Sequence, residues 1–378
     1  MGGNSMKIAI STITDGANYG NRLQNYALQH FLESLGYDVE TIRRKTSRDK
    51  SFVGRLFKVA KDIIKYFVGK NTFFCQRYRK KRFEKFNSKY IKFSKYILFS
   101  NQYPQEINDA YDYFVFGSDQ IWNSRIGIIK EDLNNHLGQF CDGSKRVAYA
   151  ASFGTSDVEE HFKDIYAKEL SKFHSISVRE NDGQGILEEL CKRKVPVVVD
   201  PTMLLNVLDW NKIARKPRYI MDGENYILTY FLGEKNEKMK KYMSTLAKDK
   251  NCRLINLGIE FMDDRRIDDK KIFSTTPDEF VWLISNAECV LTDSYHASVF
   301  SIIYEKPFVV FGRYSTEKNN DMSGRIDTLL DLFDLKKHKD NVDSPSVMPV
   351  WDGVDTKSIF NREKKRATEY ISKALGGN

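Results

Sequence analysis

The sequence predicts an α/β protein of two Rossmann-like domains facing a cleft, and three observations predict it. Apolar runs of strand length alternate with segments of helical period along most of the chain, the pattern of parallel sheets joined by crossover helices. The chain has 378 residues, more than one hydrophobic core usually serves. The alternation lapses over 210–223, an irregular stretch containing Pro217, and then begins again.

Residues 7–13 read as a first parallel strand, followed by a loop with Gly16, Asn18 and Gly20. A helix follows, in which Leu23, Tyr26, Ala27, Phe31 and Leu35 recur near helical period and which Gly36 ends. Residues 37–42 start the next strand. A stretch of aromatic residues interleaved with lysine and arginine comes next and reads as two amphipathic helices inserted between strands. Strands resume at 113–116, 146–150, 175–178 and 195–199, with helices over 158–173 and 183–192. Beyond the lapse, strands are expected at 226–231, 253–257, 288–291 and 307–311. The division is therefore a first domain over 6–205 with a basic aromatic helical insertion at about 45–97, a second domain over 224–350, and a helix over 355–376 packing back across the interface.

Hydrophobic residues make up 41 % of the chain, enough for two cores. No apolar run reaches the ~18 to 20 residues of a membrane span, and no charged-then-apolar leader opens the chain. The expectation is a cytoplasmic protein, either free or peripheral at the inner face of the membrane. Five cysteines without a Cys-x-x-Cys pair read as reduced packing residues. The net charge of +9 is uneven: from Arg43 to Lys95 there are 19 Lys/Arg against 3 acids, or +16, which leaves the rest of the chain at −7. That balance argues against a nucleic-acid partner.

The six histidines are dispersed, and no His-x-x-x-His, cysteine cluster or Asp-x-Asp motif is present, so no metal site is expected. Neither a Walker loop nor Gly-x-Gly-x-x-Gly follows the first strand. What stands out is a polar group at the C-terminal end of strand after strand, where open α/β sheets bind ligands. Asn18, Tyr19 and Asn21 follow the first strand, and Ser118, Asp119 and Gln120 follow 113–116. Arg179 and Glu180 follow 175–178, Asp200 follows 195–199, and Asp293, Ser294 and His296 follow 288–291. Singly, each has a structural reading as an N-cap, a turn or a strand terminator, and His296 as a core histidine satisfied by a carbonyl. An arginine directly after a buried strand offers a rigid fork suited to a carboxylate or phosphate, or to a salt bridge with Glu180. Paired with His296, Arg179 points to an anionic donor and an acid/base step.

These residues resemble the polysaccharide pyruvyltransferase family. The resemblance is carried by Asn18-Tyr19-Gly20-Asn21-Arg22-Leu23-Gln24-Asn25-Tyr26-Ala27-Leu28, Phe116-Gly117-Ser118-Asp119-Gln120-Ile121-Trp122-Asn123, Ser177-Val178-Arg179-Glu180 and Asp200-Pro201-Thr202. Residues 292–303 and Ser323-Gly324-Arg325-Ile326-Asp327-Thr328-Leu329-Leu330 continue it in order. It implies a glycosyltransferase-B-like fold with the acceptor on the first domain and the donor on the second. It also implies transfer of pyruvate from phosphoenolpyruvate to sugar hydroxyls as a cyclic ketal, without a cofactor, in making a capsule or exopolysaccharide. Arg179 matches a family arginine linked to phosphoenolpyruvate binding, and His296 matches a histidine required for activity. Some members carry Arg-Leu-His where this chain has Ser294-Tyr295-His296, so a donor-binding cation is replaced here, with Arg313 or Arg325 as substitutes. Asp119 is then the expected base toward the acceptor hydroxyl. A sugar or lipid-linked oligosaccharide acceptor would fit membrane contact through residues 50–95. A nucleotide-sugar-dependent glycosyltransferase and a non-catalytic carbohydrate-binding protein are the alternatives.

Overall fold

The computed structural model describes residues 5–14, 16–45, 72–100, 102–257, 270–312, 324–341, 343–351 and 353–376. The chain divides into two units, Met1–Leu56 with Asn87–Leu205 and Phe360–Asn378, and Phe57–Phe86 with Asn206–Ile359.

In the first unit, six strands form one sheet: β1 (Lys7–Ser11), β2 (Asp38–Lys45), β3 (Phe93–Phe99), β4 (Tyr113–Phe116), β5 (Arg146–Ala151) and β6 (Ser175–Val178). Their order is β3-β2-β1-β4-β5-β6 and every pairing is parallel. This is the doubly wound order in which the chain runs outward from β1 to one edge and returns to build the other half from β4. The central strands are apolar because helices cover both faces, and Phe114, Phe116 and Ala148 are fully buried. β1 and β4 end level, Ser11 pairing with Phe116, so the crevice of the strand-order reversal opens beyond these two residues.

In the second unit, β7 (Tyr226–Tyr230), β8 (Arg253–Asn256), β9 (Cys289–Thr292), β10 (Phe308–Phe311) and β11 (Lys339–Asp340) form a parallel sheet in the order β11-β10-β9-β7-β8. Here the reversal falls between β7 and β9, and Tyr230 pairs with Thr292 at its mouth. The two halves of the chain thus use the two common doubly wound orders.

The range read as a helical insertion, 45–97, is corrected at its end, because residues 93–99 are the edge strand β3. Aromatic and apolar residues mixed with Lys92 and Lys95 mask its alternation, and tertiary pairing with β2 sets it. Residues 46–71 of that range lie outside the described residues; the helix Thr72–Tyr90 belongs to the second unit as far as Phe86. There Arg79 donates to the Phe273 carbonyl, and Arg82 pairs with Glu279 at 2.7 Å. The strand expected at 195–199 is also absent: Pro196 removes one ladder donor, and a single bridge, Val178 to Val197, is what forms. The C-terminal helix Thr356–Ala374 groups with the first unit from Phe360 onward. Its Tyr370 hydroxyl donates to the Ala148 carbonyl at 2.7 Å, and burial pushes that phenol up to about 12.

Candidate active site

The first unit gathers one charged cluster at the ends of β4 and β6. β6 delivers Arg179, whose side chain exposes no area, and Arg179 Nη1 donates to Asp200 Oδ2 at 2.7 Å. Asp119 Oδ1 lies 3.8 Å from Nη2 and Glu180 Oε2 3.9 Å from Nε. One guanidinium therefore serves three carboxyl groups, and Asp200, not Glu180, is its close partner.

The neighbours fix these groups. Asp200 Oδ1 accepts from the Thr202 backbone N–H at 3.0 Å and from the Thr202 hydroxyl at 2.7 Å, so that carboxylate is fully engaged. Glu180 Oε1 accepts from the backbone N–H groups of Phe153 and Gly154 at 2.9 and 3.2 Å, tying β6 to the loop after β5. The Ser118 hydroxyl lies 2.9 Å from the Ala150 carbonyl and 3.1 Å from Asp200 Oδ2. Asp119 differs from the other two acids: Oδ1 accepts from the Gln120 N–H at 2.9 Å, while Oδ2 accepts no hydrogen bond from the described residues.

The turn carrying Asp119 demands special backbone. Gly117 has φ +118, and a Cβ there would sit 2.3 Å from the Tyr149 carbonyl oxygen. Asp119 itself has φ 76, a left-handed conformation that aspartate tolerates better than most residues. The turn is tied to β1 by Thr12, whose hydroxyl donates to the Ser118 carbonyl at 3.0 Å and accepts from Gln24 Nε2 at 2.9 Å. Thr12 and Gln24 were missed as site residues by sequence reasoning; the signal for Thr12 was its place directly after β1, level with Gly117.

Asn18, Tyr19, Asn21 and Gln120 stand at these loops in more structural roles. Asn18 is the N-cap of the helix Tyr19–Ser34, its side chain accepting from the Asn21 N–H at 3.3 Å. Tyr19 is fully buried. Gln120 Oε1 accepts from Asn123 Nδ2 at 2.8 Å and packs against Gly154, where a Cβ would meet it at 2.2 Å.

In the second unit, β9 runs into the helix Tyr295–Ile303 through Asp293 and the N-cap Ser294. Both Asp293 oxygens accept from the loop after β7, from the Leu232 and Gly233 N–H groups at 2.7 Å each. Thr292 spans the same junction: its hydroxyl donates to the Tyr230 carbonyl and accepts from the Ser294 N–H. His296 lies in the first turn of this helix, 7 % exposed, where the backbone N–H groups have no intrahelical partner and favour an anion. Arg325 is buried on the helix Gly324–Leu332, which packs against the His296 helix. Arg313 lies outside the described residues. Among the described residues no group of three or more His, Cys, Asp or Glu could hold a metal ion.

The Asp119 turn therefore stands beside the β1–β4 reversal of the first sheet, with Arg179 following the edge strand β6, and His296 stands beside the β7–β9 reversal of the second. A solved structure assigned as UDP-N-acetylglucosamine 2-epimerase from Listeria monocytogenes shares this fold, at TM-score 0.51 and 10 % identity over 98 % of this chain and 97 % of that one. UDP-GlcNAc 2-epimerase from Methanocaldococcus jannaschii gives TM-score 0.48 at 12 % identity, over 97 % of this chain and 99 % of that one. A glycosyltransferase from Rickettsia africae gives 0.41 at 12 %, over 99 % and 100 %. The fold is GT-B-like, two parallel α/β sheets with alternating helices. No curated protein matches the chain. The model of one family, polysaccharide pyruvyl transferase, matches residues 18–315, most of the chain and both sheet reversals, and the chain belongs to that family.

Proposed function

We propose that this protein transfers pyruvate from phosphoenolpyruvate to two hydroxyls of a sugar in a cell-surface polysaccharide or its precursor, forming a cyclic ketal and releasing phosphate. The observation that carries the reading is His296, a histidine in the family-matched segment, held in the first turn of a helix at a sheet reversal by the Thr292 and Asp293 hydrogen bonds.

The chemistry needs an acid and a base. His296 donates a proton to the methylene carbon of the enol phosphate, and the adjacent carbon takes positive character. A sugar hydroxyl forms a C–O bond there and gives its proton to a base, the role assigned to Asp119, whose Oδ2 is uncommitted. The bond to phosphate breaks, the second hydroxyl bonds to the same carbon, and its proton leaves with phosphate. Solvent then returns a proton to His296 and takes one from Asp119, so over a turnover the two hydroxyl protons are replaced by one on the new methyl group and one on phosphate, with no change of oxidation state and no redox cofactor.

Arg179 exposes no side-chain area. Its role here is to position Asp119 and moderate the charge of three carboxyl groups. The donor contact implied by its family match requires Asp200 to release Nη1. In the second unit, first-turn N–H groups and Arg325 are assigned to the donor's anionic groups, in place of the cation that Ser294 does not supply. Asn18, Asn21, Ser118 and Gln120 shape the loops rather than react.

The same reading gives the helix Thr72–Tyr90 a membrane role. Arg77, Lys80, Lys81, Lys85 and Lys89 are all exposed, against one exposed acid, Glu84. No helix among the described residues is long and apolar enough to cross a membrane. A basic face instead suits peripheral attraction to anionic lipid, at about 1 kcal/mol per cation. Replacing Lys80, Lys81 and Lys85 with glutamine should lower co-sedimentation with anionic vesicles by tenfold or more; unchanged co-sedimentation would remove the membrane role. Pyruvyl transfer itself is tested by phosphate release from phosphoenolpyruvate in the presence of candidate acceptors.

A further inference from the structure

The strand β5 does not run regularly to its end. Its pairing with β6 passes from Ala148–Ile176 to Ala151–Val178, so β5 takes three steps where β6 takes two and carries one extra residue, a bulge. Ala150 stands in that bulge with φ 48, a left-handed conformation that is unfavourable for alanine and persists only where its neighbours impose it.

The bulge adjoins the Arg179 cluster and grips it. The Ser118 hydroxyl lies 2.9 Å from the Ala150 carbonyl, the Arg179 N–H donates to the Ala151 carbonyl at 3.1 Å, and the Ser152 N–H donates to the Asp119 carbonyl at 3.0 Å. Three successive residues therefore hold Ser118 and the backbones of Asp119 and Arg179. A shift of 150–152 is passed directly to the Asp119 turn.

Two hydroxyls that take no part in the chemistry above hold the bulge itself. The Ser177 hydroxyl accepts from the Ala150 N–H at 3.1 Å and donates to the Ala148 carbonyl at 3.0 Å, bridging the bulge from end to end. The Tyr370 hydroxyl is a second donor to that carbonyl, at 2.7 Å, and accepts from the Ser175 hydroxyl at 3.1 Å. Burial keeps the phenol protonated at neutral pH, so it remains a donor. Its ring packs 6.2 Å from that of Tyr149, whose hydroxyl donates to the Val199 carbonyl, one residue before Asp200. All of these residues belong to the first unit. Tyr370 comes from the C-terminal helix, beyond the family-matched residues 18–315.

We propose that Tyr370 is a positioning residue for Asp119: by holding the Ala148 carbonyl together with Ser177, its hydroxyl fixes the β5 bulge and hence the turn that presents the Asp119 carboxylate. The effect on turnover rests on the reading of Asp119 as the base of pyruvyl transfer; the effect on the turn does not.

The test compares wild type, Tyr370→Phe and Ile371→Val in the full chain. Tyr370→Phe keeps the ring and removes the donor, whereas Ile371→Val weakens the packing of a fully buried residue on the same helix without removing a hydrogen bond. Amide hydrogen exchange is scaled to the β1 amides, which report global opening. At Ala150, Ser152 and Arg179 it should be about 3- to 10-fold faster in Tyr370→Phe than in Ile371→Val, the loss of roughly one hydrogen bond. In steady-state phosphate release, Tyr370→Phe should lower kcat by about the same 3- to 10-fold and leave KM for phosphoenolpyruvate unchanged, while Ile371→Val keeps the wild-type kcat. Equal scaled exchange in the two variants overturns the coupling whatever reaction the protein performs. A fall in kcat that Ile371→Val shares, or a raised KM with unchanged kcat, overturns the positioning role. Wild-type protein that releases no phosphate refutes pyruvyl transfer instead, and the exchange rates then decide the coupling alone.

Discussion

His296→Ala is expected to lower kcat for phosphate release by 10²- to 10⁴-fold, roughly the loss from removing a positioned general acid. The helix Tyr295–Ile303 should persist, because its start is set by the Ser294 N–H bond to Thr292 and by Asp293 holding the β7 loop, neither of which uses the imidazole. His296→Gln, which preserves more of the side-chain volume, should be equally inactive and should melt close to wild type. Near-normal turnover in either variant would remove His296 from the chemistry. A melting temperature that falls in step with activity would recast it as a core histidine.

Arg179→Ala is expected to act first on stability. It removes a cation that lies within 4 Å of Asp119, Glu180 and Asp200, all three carboxyls being buried. Breaking a buried pair by deleting one partner costs about 3–5 kcal/mol, because the charge left behind has neither water nor a counter-ion. Arg179→Lys retains the charge but loses the planar fork that reaches several acceptors at once, and should fall between alanine and wild type. Thermal melts of the three proteins check this. An Arg179→Ala protein that melts like wild type and shows only a raised KM for phosphoenolpyruvate would make Arg179 a donor ligand instead of a positioning residue.

The parts of the fold legible in the sequence were those where local pattern and tertiary role agree. Tyr113–Phe116 and Ser175–Val178 were placed with correct bounds, because an apolar run in the first and a serine–aliphatic alternation in the second are each followed by a residue that breaks the pattern, Gly117 and Arg179. β3 was missed because an edge strand need not be apolar, and its Lys95 continued the basic run before it. Residues 195–199 misled in the opposite direction: a valine-rich run promised a strand, yet Pro196 limits the ladder to one bridge with Val178, and side chains of Tyr149, Gln184 and Arg366 bond the Val199, Val195 and Val197 carbonyls.

The site was legible as a set of positions but not as a set of partnerships. That Asp119, Arg179, Asp293 and His296 each follow a strand is visible in one dimension. That Arg179 is taken by Asp200 rather than by its neighbour Glu180 depends on the segment before Asp200 bridging to β6 at Val178 and Val197, and on the 3₁₀ turn Pro201–Leu204 engaging the other carboxylate oxygen through Thr202. The same holds for Asp293, whose partners Leu232 and Gly233 come from the loop after the neighbouring β7. Polar side chains after strands mark where a ligand could bind; their hydrogen bonds decide which atoms remain to bind it.

The most direct test of pyruvyl transfer is calorimetric titration of the purified protein with phosphoenolpyruvate, beside UDP and GDP, followed by phosphate release with candidate acceptors. The reading predicts saturable phosphoenolpyruvate binding, no comparable nucleotide binding, and acceptor-dependent phosphate release that His296→Ala abolishes. Saturable binding of a nucleoside diphosphate with none of phosphoenolpyruvate would contradict it and place the protein with nucleotide-sugar chemistry on the same fold.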